Sequence, residues 1–285
     1  MILSKEWKDY EILDMCNGEK LERWGDIYLI RPDPQIIWKN KSHPELWKKA
    51  HGHYHRSNKG GGEWEFKKKI PASWQIKYKS LIFNLKPMGF KHTGLFPEQA
   101  VNWDFMMDKI KNAKREIRVL NLFAYTGGAT CACLKAGASV CHVDSSKGMT
   151  AWAKENVESC GLKDAPVRFI IDDVIKFVQR EIRRGNKYDA IVMDPPSYGR
   201  GANGEVWNIE DSLYELVELC TKVLSDKPLF FLINSYTTGL APTILADVLS
   251  LTIKNKGKIT CGEIGLPMKD SSLILPCGIY GRWEC

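Results

Sequence analysis

Short apolar runs alternate with segments of helical spacing from residue 117 to the end of the chain. The clearest run, residues 188–193, is too short for a buried helix and is stopped by Pro195 and Pro196. Such runs form parallel strands when helices separate them, because a parallel pair needs a crossover connection. The alternation therefore predicts an α/β fold, with a doubly wound, mostly parallel sheet of seven strands.

The predicted elements follow one another without internal repeats. Strands are predicted at 117–123, 138–143, 167–171, 188–193, 229–234, 258–266 and 273–280, and helices at 99–114, 127–136, 146–159, 173–184, 210–224 and 242–254. The loop between the last two strands has no room for a crossover helix, so these strands should pair antiparallel. Residues 199–204 are rich in glycine and are predicted to form a loop that closes over a site.

The N-terminal third has a different pattern. Residues 5–38 alternate apolar and polar around Asn17-Gly18 and Trp24-Gly25, which predicts hairpins, and 79–90 predicts another strand pair. Residues 41–62 are predicted to be a mobile loop or short helix. We therefore expect a small β-rich N-terminal lobe at 1–98 and an α/β domain at 99–285.

Composition excludes several classes of protein. The chain has 285 residues, of which 44% are hydrophobic, but no window is long enough to span a membrane. The start of the chain lacks a signal-peptide pattern. The nine cysteines contain no Cys-x-x-Cys pair and are expected to be reduced and mostly buried. We expect a cytoplasmic protein without a membrane partner.

Positive charge is concentrated near the N-terminus. Residues 1–115 hold 22 Lys and Arg against 14 Asp and Glu, a net charge of +8. The whole chain has a net charge of +7, so the remaining residues carry a net charge of −1. Segment 39–91 holds 13 basic residues against three acidic ones. Aromatic residues run through the same segment: Trp38 at its edge, then Trp47, Tyr54, Trp64, Phe66, Trp74 and Tyr78. Cations for phosphates and rings for stacking together predict that segment 39–91 contacts nucleic acid.

Three histidines alternate in this segment. His51, His53 and His55 would share one face of a strand, a spacing that suggests a metal site. No carboxylate or thiol stands close by in the sequence to complete a ligand set. We therefore expect no metal and a solvated loop that can face phosphates.

The predicted carboxyl ends of the strands carry polar and small residues. Residues 121–128 read Asn-Leu-Phe-Ala-Tyr-Thr-Gly-Gly, so small residues open a helix where a ligand can approach the backbone. Asp144 ends the second strand, at the distance expected of a ribose-binding acid. Asp173 suits either an adenine contact or a helix N-cap. These features alone fit a nicotinamide enzyme as well as an enzyme that uses a nucleoside sulfonium.

The full set of motifs resembles class I S-adenosylmethionine-dependent methyltransferases. Residues 89–207 look most like the family of large-ribosomal-RNA cytosine-C5 and guanine-N7 methyltransferases. The matches are Thr-Gly-Leu-Phe at 93–96 with Gln99, Leu-Phe-Ala-Tyr-Thr-Gly at 122–127, and Asp-Pro-Pro-Ser-Tyr at 194–198. The resemblance implies a Rossmann-like fold, S-adenosyl-L-methionine as cofactor, and an N-terminal lobe that helps to bind RNA for rRNA methylation.

The resemblance also implies roles for individual residues. Phe96 and Gln99 would lie beside the methionine end of the cofactor, Thr126 and Gly127 below it, Asp144 at the ribose and Asp173 at the adenine. Asp194 and the Pro195 backbone would lie beside the sulfonium and the target base, and Tyr198 would stack on that base. The cofactor-binding residues are then Phe96, Gln99, Asn121, Phe123, Tyr125, Thr126, Gly127, Asp144, Asp172, Asp173 and Asp194, and the catalytic residues are Asp194, Pro195 and Tyr198.

One departure from the family bears on the product. Cytosine-C5 methylation needs a cysteine nucleophile in the Asp-Pro-Pro turn or after the next strand. Ser197 and Tyr198 stand at the first place, and Asn-Ser-Tyr-Thr-Thr at 234–238 occupies the second. We therefore expect direct transfer to a base nitrogen of RNA. The alternatives are a protein or small-molecule methyltransferase, and an RNA-binding protein whose catalytic domain is degenerate.

Overall fold

The computed structural model describes residues 1–57, 61–200 and 206–285, with Arg200 described by its backbone alone. The chain divides into two compact units. The sheet unit contains residues 1–2, 101–264 and 277–285, and the N-terminal unit contains residues 3–100 and 265–276. We predicted one domain at 99–285, so segment 265–276 departs from that division. Backbone hydrogen bonds explain the difference, because Ser4 N donates to Gly265 O (2.9 Å) and Lys269 N donates to Ile12 O (2.8 Å).

The N-terminal unit is rich in strands, as predicted. Its helix α1 (Pro44–Trp47) is short, and the strands before residue 100 are β1 (Ile2–Leu3), β2 (Tyr10–Cys16), β3 (Glu19–Trp24), β4 (Ile27–Pro32), β5 (Gly52–Arg56), β6 (Gly62–Phe66), β7 (Trp74–Tyr78) and β8 (Leu81–Leu85). Strands β2 to β6 form a sheet in that order, with β4 and β5 parallel, while β7 and β8 form a separate antiparallel pair.

The predicted loop at 41–62 is wrong in part. The segment contains α1 and the whole of β5, which pairs with β6 antiparallel. Burial of Tyr54, which is 3% exposed, explains the strand: alternate side chains of β5 enter the interior while His53 and His55 lie on the other face. Residues 58–60, which include part of the predicted glycine-rich end, lie outside the described residues.

The sheet unit alternates strands and helices. Its elements are α2 (Ala100–Asn112), β9 (Arg118–Leu122), α3 (Gly128–Lys135), β10 (Ser139–Asp144), α4 (Lys147–Ser159), β11 (Val167–Ile171), α5 (Val174–Arg183), β12 (Ala190–Met193), β13 (Tyr198–Arg200), β14 (Val206–Asn208), α6 (Ile209–Thr221), β15 (Phe230–Ser235), α7 (Pro242–Thr252), β16 (Lys258–Pro267) and β17 (Ile274–Glu284).

The large sheet confirms the doubly wound, mostly parallel prediction. Its order is β1-β16-β17-β15-β12-β9-β10-β11. Strand β12 pairs parallel with β9 and β15, β10 pairs parallel with β9 and β11, and β17 runs antiparallel to β15. The sheet has eight strands instead of the predicted seven, because the two-residue strand β1 joins its edge. Strand β1 was not predicted, because two residues are too few to show the alternation of apolar and polar side chains that identifies a strand.

Strand β12 lies at the centre of this sheet and its four residues are at most 5% exposed. Ile191 and Met193 pack in a core that includes Phe177 of α5, Leu213 of α6 and Leu245 of α7. The burial on both faces matches the uninterrupted apolar run. No helix among the described residues is long and apolar enough to cross a membrane.

Polar contacts fix the amino end of β12. The Asp189 carboxylate accepts hydrogen bonds from Arg115 Nη1 (2.9 Å), Arg118 N (2.9 Å) and Ser225 Oγ (2.8 Å). The residue is 8% exposed. A buried carboxylate with a cation and two further donors is well compensated, so Asp189 holds this end of the strand in place.

A second carboxylate supports the same end. Glu181 of α5 accepts from Tyr188 Oη (2.5 Å), Asn186 Nδ2 (2.9 Å) and Arg184 Nη1 (3.1 Å). Burial acts to raise the pKa of Glu181, but the hydrogen bond from Tyr188 and the donors of Arg184 and Asn186 outweigh it and lower the pKa from 4.5. Glu181 therefore stays ionised in the interior and joins α5 to the start of β12.

Candidate active site at the carboxyl edge of the sheet

Four strands end at the same level of the sheet. Leu122 pairs with Val143 of β10 and with Met193 of β12, and Met193 pairs with Ile233 of β15. The residues that follow these positions include Phe123, Asp144, Asp194 and Asn234. Because parallel strands present their carboxyl ends at one edge, the predicted motifs meet there.

The loop after β9 has a strained backbone. Phe123 has φ 53° and Tyr125 has φ 51°, values that non-glycine residues seldom adopt, and Gly127 follows at φ 80°. Each of the two non-glycine residues costs on the order of 1–3 kcal/mol in this region. Such strain persists where surrounding contacts determine the backbone, and it is concentrated at functional sites.

Asp144 supplies contacts that hold this loop. Its Oδ2 accepts from Tyr125 N (2.8 Å) and its Oδ1 accepts from Ser146 N (2.8 Å). Burial raises the pKa of Asp144, and the two backbone donors oppose that rise. Each carboxylate oxygen can accept a second hydrogen bond, so the predicted contact with ribose hydroxyls is compatible with the loop-holding role.

A buried polar chain lies beneath the loop. Asn121 Nδ2 donates to Thr130 Oγ1 (2.9 Å), and Thr130 Oγ1 lies 2.9 Å from His142 Nδ1. Burial lowers the pKa of His142 to about 3, so the ring is neutral, with one nitrogen that donates and one that accepts. Asn121 is 3% exposed with its amide committed to Thr130. This geometry favours a positioning role for Asn121 over the direct cofactor contact that we predicted.

Glycine is required at the start of α3 by close packing. A Cβ on Gly127 would lie 2.9 Å from Ala153 Cβ of α4, and a Cβ on Gly128 would lie 2.9 Å from Trp103 Cζ2 of α2. Neighbouring Thr126 is 1% exposed, and its carbonyl accepts from Asn156 Nδ2 (2.8 Å). The packing fixes the N-terminus of α3, whose backbone N–H groups favour negative charge.

The two aspartates after β11 have different partners. Asp172 forms an ion pair with Arg180, and its Oδ1 accepts from Asp173 N (2.9 Å). Asp173 is the N-cap of α5, where its Oδ1 accepts from Lys176 N (2.8 Å). Capping engages one oxygen of Asp173, which leaves the second available in principle to an amino group. This arrangement favours Asp173 over Asp172 for the predicted adenine contact.

Asp194 begins the turn after β12. Asn234 Nδ2 donates to Asp194 Oδ1 (3.2 Å), and Asn234 is 1% exposed at the end of β15. Ser197 Oγ lies 2.7 Å from Thr237 Oγ1, which ties the turn to the loop after β15. The predicted Asp-Pro-Pro turn is therefore held by the next strand as well as by its two prolines.

A hairpin continues from this turn. Strands β13 and β14 pair antiparallel, with Tyr198 opposite Asn208. Trp207 Nε1 donates to Pro196 O (2.6 Å), and the Trp207 ring lies 5.5 Å from that of Phe123. Tyr198 is 55% exposed beside the Asp194 turn. Because residues 199 and 200 belong to β13, the predicted loop at 199–204 is wrong at its start, and its remaining residues lie outside the described residues.

Sequence reasoning missed three residues that support this site. Asn234, Trp207 and Thr237 each contact the Asp-Pro-Pro turn or Asp194 itself. Asn234 could have been found, because it follows the apolar run of β15 as Asp194 follows that of β12. The cysteines were predicted to be mostly buried, and Cys220, for example, is fully buried in α6 with its pKa raised by burial.

Comparison with known proteins decides the family. Residues 48–240, more than half of the chain, match the model of the S-adenosylmethionine-dependent methyltransferase family. The chain belongs to this family.

Several relatives agree with that result. The solved structure of a SAM-dependent methyltransferase from Agrobacterium tumefaciens is 35% identical, with a TM-score of 0.94, and the match covers 99% of this chain and 92% of that one. Ribosomal RNA large subunit methyltransferase K/L of Shewanella frigidimarina is 34% identical over 50% of this chain and 20% of that protein. Methyltransferase I of the same subunit from an Enterobacter species is 42% identical over 30% and 22%. The chain thus spans about a fifth of the length of these two relatives.

Open α/β sheets bind their ligands at this edge, and the residues described there suit S-adenosylmethionine. A strained loop and a helix N-terminus lie after the first strand, and carboxylates lie after the second, third and fourth. A neighbour of the same fold, a crystal structure at 18% identity and a TM-score of 0.73, is complexed with SAH. The prediction of an enzyme that uses S-adenosylmethionine is confirmed.

Two predicted cofactor residues of the methyltransferase lie in its N-terminal unit. Phe96 precedes a single 3-10 turn, Pro97–Gln99, which ends at Gln99, and both residues are partly exposed. The Pro97 carbonyl accepts from Ser4 Oγ (2.9 Å) and from Trp7 Nε1 (2.9 Å), which fixes this turn within its unit. Their contact with the methionine end of the cofactor stays a prediction.

The basic segment 39–91 has most of its cations at the surface, but three of the seven rings predicted to stack on nucleic acid are buried. Its exposed cations are Lys39, Lys41, Lys48, Lys49, Arg56, Lys67, Lys68, Lys69, Lys77, Lys79 and Lys86. Trp47, Tyr54 and Tyr78 are at most 8% exposed, so they pack in the interior. Phe66 is 46% exposed and remains accessible for stacking. Rings at alternate positions of a strand face opposite sides, and those on the inner side pack in the core. The sequence alone did not show which rings face inward and which lie on the surface.

Proposed function

We propose that this methyltransferase transfers a methyl group from S-adenosylmethionine to a nitrogen of a base in RNA, and that the RNA is ribosomal. The observation that carries the proposal is the exposed ring of Tyr198 beside Asp194, on a turn fixed by hydrogen bonds. A flat, exposed ring next to a carboxylate can stack on a base and hold its polar edge.

The chain itself supplies positioning and electrostatics. S-adenosylmethionine supplies an electrophilic methyl group when it is bound. In this proposal Asp194 would accept a hydrogen bond from the acceptor nitrogen and take its proton, as the methyl group leaves the sulfur and bonds to that nitrogen. Asn234 orients the carboxylate through the 3.2 Å contact. Direct displacement requires an aligned nucleophile more than covalent help from the protein, and a rigid turn provides that alignment.

The acceptor type is inferred from the residues around the turn. Ser197 contacts Thr237 by its hydroxyl, and Tyr198 follows it on β13. Ser235 and Tyr236 occupy the end of β15, where a cysteine nucleophile would be needed for cytosine-C5 chemistry. The proposal of a nitrogen acceptor rests on the presence of these residues where a cysteine would be needed.

The exposed cations of the N-terminal unit support an RNA substrate. Lys67, Lys68 and Lys69 follow one another on the surface after β6. Cations of this kind bind phosphates by releasing counterions, so RNA affinity should fall as salt increases. Relatives named as ribosomal RNA large subunit methyltransferases support the ribosomal assignment. A cytoplasmic location stays a prediction.

A protein or small-molecule substrate is the second candidate. The inward packing of Trp47, Tyr54 and Tyr78 favours it, because those rings are withdrawn from nucleic acid. The two candidates differ in their response to ribonuclease and salt. Methyl transfer that survives ribonuclease and is unaffected by salt would favour the second.

The direct test combines cofactor binding with methyl transfer. Calorimetry should show that the purified chain binds S-adenosylmethionine. Labelled methyl groups should then pass to ribosomal RNA taken from cells that lack the protein, and not to RNA digested beforehand. RNA binding without any cofactor binding would instead identify a degenerate enzyme and defeat the proposal.

Tyr198 offers a sharper test of the base contact. Stacking of a base on an aromatic side chain is worth about 1–3 kcal/mol. Tyr198→Ala should therefore lower kcat/KM for RNA about tenfold or more, while the matched variant Tyr198→Phe keeps a ring and should remain near the wild-type value. Equal activity of the two variants would show that the ring does not stack on the substrate.

A further inference from the structure

Two histidines and two glutamates of the N-terminal unit converge on one face of its five-stranded sheet. His53 and His55 lie two residues apart on β5, with ring centroids separated by 4.0 Å. Glu65 of β6 is paired with His53 in the strand register, and its Oε2 lies 2.8 Å from His55 Nε2. Glu19 of β3 reaches His53 Nε2 at 2.6 Å. These carboxylates are the ligands that seemed to be missing from the sequence.

Three of the four side chains lie close enough together to hold one ion, and Glu19 adds a carboxylate beside His53. One ligand atom from each of His53, His55 and Glu65 lies within 4.8 Å of the other two. No other group of three such residues in the described parts of the chain meets this spacing. The third alternating histidine, His51, is excluded, because its Nδ1 accepts from Tyr28 N (3.0 Å) in a structural contact.

The donor types indicate the class of ion. Imidazole nitrogens suit Zn²⁺, Ni²⁺ and Cu²⁺, whereas Mg²⁺ and Ca²⁺ prefer sites built from oxygen alone. Two neutral imidazoles and two carboxylates carry a charge of about −2, which balances a dication.

We propose that His53, His55, Glu65 and Glu19 form a binding site for a divalent transition metal of the Zn²⁺ type. The ion would replace the direct contacts between imidazole and carboxylate. It would connect β3, β5 and β6, and so fasten the β5–β6 hairpin across the sheet. All four residues lie in the N-terminal unit, and none of them is among the residues predicted to contact the cofactor or the target base.

Calorimetry with the full chain tests the proposal. After treatment with a chelator and its removal, titration with ZnCl₂ should show one ion per chain, and titration with MgCl₂ should show none. His55→Ala and Glu65→Ala should each weaken Zn²⁺ binding by about tenfold or more. His43→Ala is the matched control: His43 is a partly exposed histidine of the same unit, outside the cluster, and its loss should leave the affinity unchanged.

The Tm measured without metal shows whether each variant is folded, independently of metal binding. His55 and Glu65 are both exposed, so their variants should keep the wild-type Tm without metal. Zn²⁺ should raise Tm in the wild type and in His43→Ala, but not in His55→Ala. Two results would overturn the site: no Zn²⁺ binding to the wild type, or equal affinity in the wild type, His55→Ala and Glu65→Ala.

Discussion

An aspartate lies at each end of strand β12, and the two carboxylates have different hydrogen-bond partners. Asp189 precedes the strand and is held by the Arg115 guanidinium, a backbone N–H and a hydroxyl. Asp194 follows the strand and is oriented by the neutral amide of Asn234 at a longer 3.2 Å. A cationic partner neutralises a carboxylate, whereas an amide orients it and preserves its charge. We therefore expect Asp189 to serve stability at the amino edge of the sheet and Asp194 to serve chemistry at the carboxyl edge.

The largest expected effect is on activity, and it comes from a substitution at the carboxyl edge of the sheet. Asp194→Ala should lower methyl transfer about a hundredfold or more, as loss of a preorganised electrostatic contact does, while Tm changes little. The measurement is labelled transfer to RNA under saturating cofactor. Asp247→Ala, at an exposed carboxylate of α7, is the control and should have wild-type activity. Near-normal turnover of Asp194→Ala would contradict the assignment.

The next largest effect is at the amino edge of the sheet, where a substitution should lower stability and leave cofactor binding unchanged. Asp189→Ala leaves the Arg115 cation and the Arg118 N–H without their acceptor, so the free energy of unfolding should fall by about 3 kcal/mol. Denaturant unfolding followed by circular dichroism would measure it. Cofactor affinity should be retained where the variant is folded. A variant that is stable but cannot bind cofactor would break the division between the edges.

A smaller effect compares two glycines with positive φ. Gly127 lies at the carboxyl edge with φ 80°, and Gly185, in the loop that leads toward β12, has φ 68°. A Cβ on Gly127 would meet Ala153, while a Cβ on Gly185 would meet nothing within 4 Å. Gly185→Ala should lose about 1 kcal/mol of stability through backbone strain alone.

Gly127→Ala should lose about 2 kcal/mol more than Gly185→Ala, because the added methyl overpacks the α3–α4 contact. It should also weaken S-adenosylmethionine binding, which Gly185→Ala should not. Thermal unfolding and cofactor titration of the two variants side by side give the comparison. Equal losses in both variants would show that packing at Gly127 contributes nothing beyond its φ.

The smallest effect depends on pH. The pKa of Glu181 is below 4.5 in the folded chain, so its ionised form adds stability that is present above that pH and is lost as pH falls through the folded pKa. Glu181→Gln should cost about 1–2 kcal/mol at pH 7, and the difference from wild type should shrink below pH 4.5. Exposed Glu155→Gln should show no such dependence. A constant difference across this range would mean that the charge of Glu181 is irrelevant to folding.

The sequence predicted the sheet and the residues at its carboxyl edge because both depend on local patterns. Apolar runs and stops located β12, and the positions of Asp144 and Asp194 followed from the strand ends. The hairpin of Tyr198 and Trp207 was missed, since strands of three residues show no period and the surrounding glycines indicate a loop. Asn234 was missed as a partner because its role depends on the register of β15 beside β12, which no single strand reveals.

Contacts distant in sequence were the main limit in the N-terminal unit. His53 and His55 were noticed, but Glu19 and Glu65 join them only through strand pairing across three strands. Tyr54 was predicted to stack on nucleic acid, although its alternation with the two histidines already indicated the opposite face. Whether that face is buried depends on the packed unit, and so the direction of the ring could not be read from spacing alone.

Segment 265–276 has a consequence for how the chain is synthesised and dissected. It supplies backbone partners to Ser4 and Ile12, and Pro276 O accepts from Gln35 Nε2 (2.8 Å), across 241 residues of sequence. On the ribosome, the N-terminal unit therefore cannot complete its contacts until residue 276 has been made, long after its own strands have emerged. Contacts so distant in sequence are slow to form. A fragment cut at residue 100 would carry the exposed cations of segment 39–91 yet lack part of its own unit.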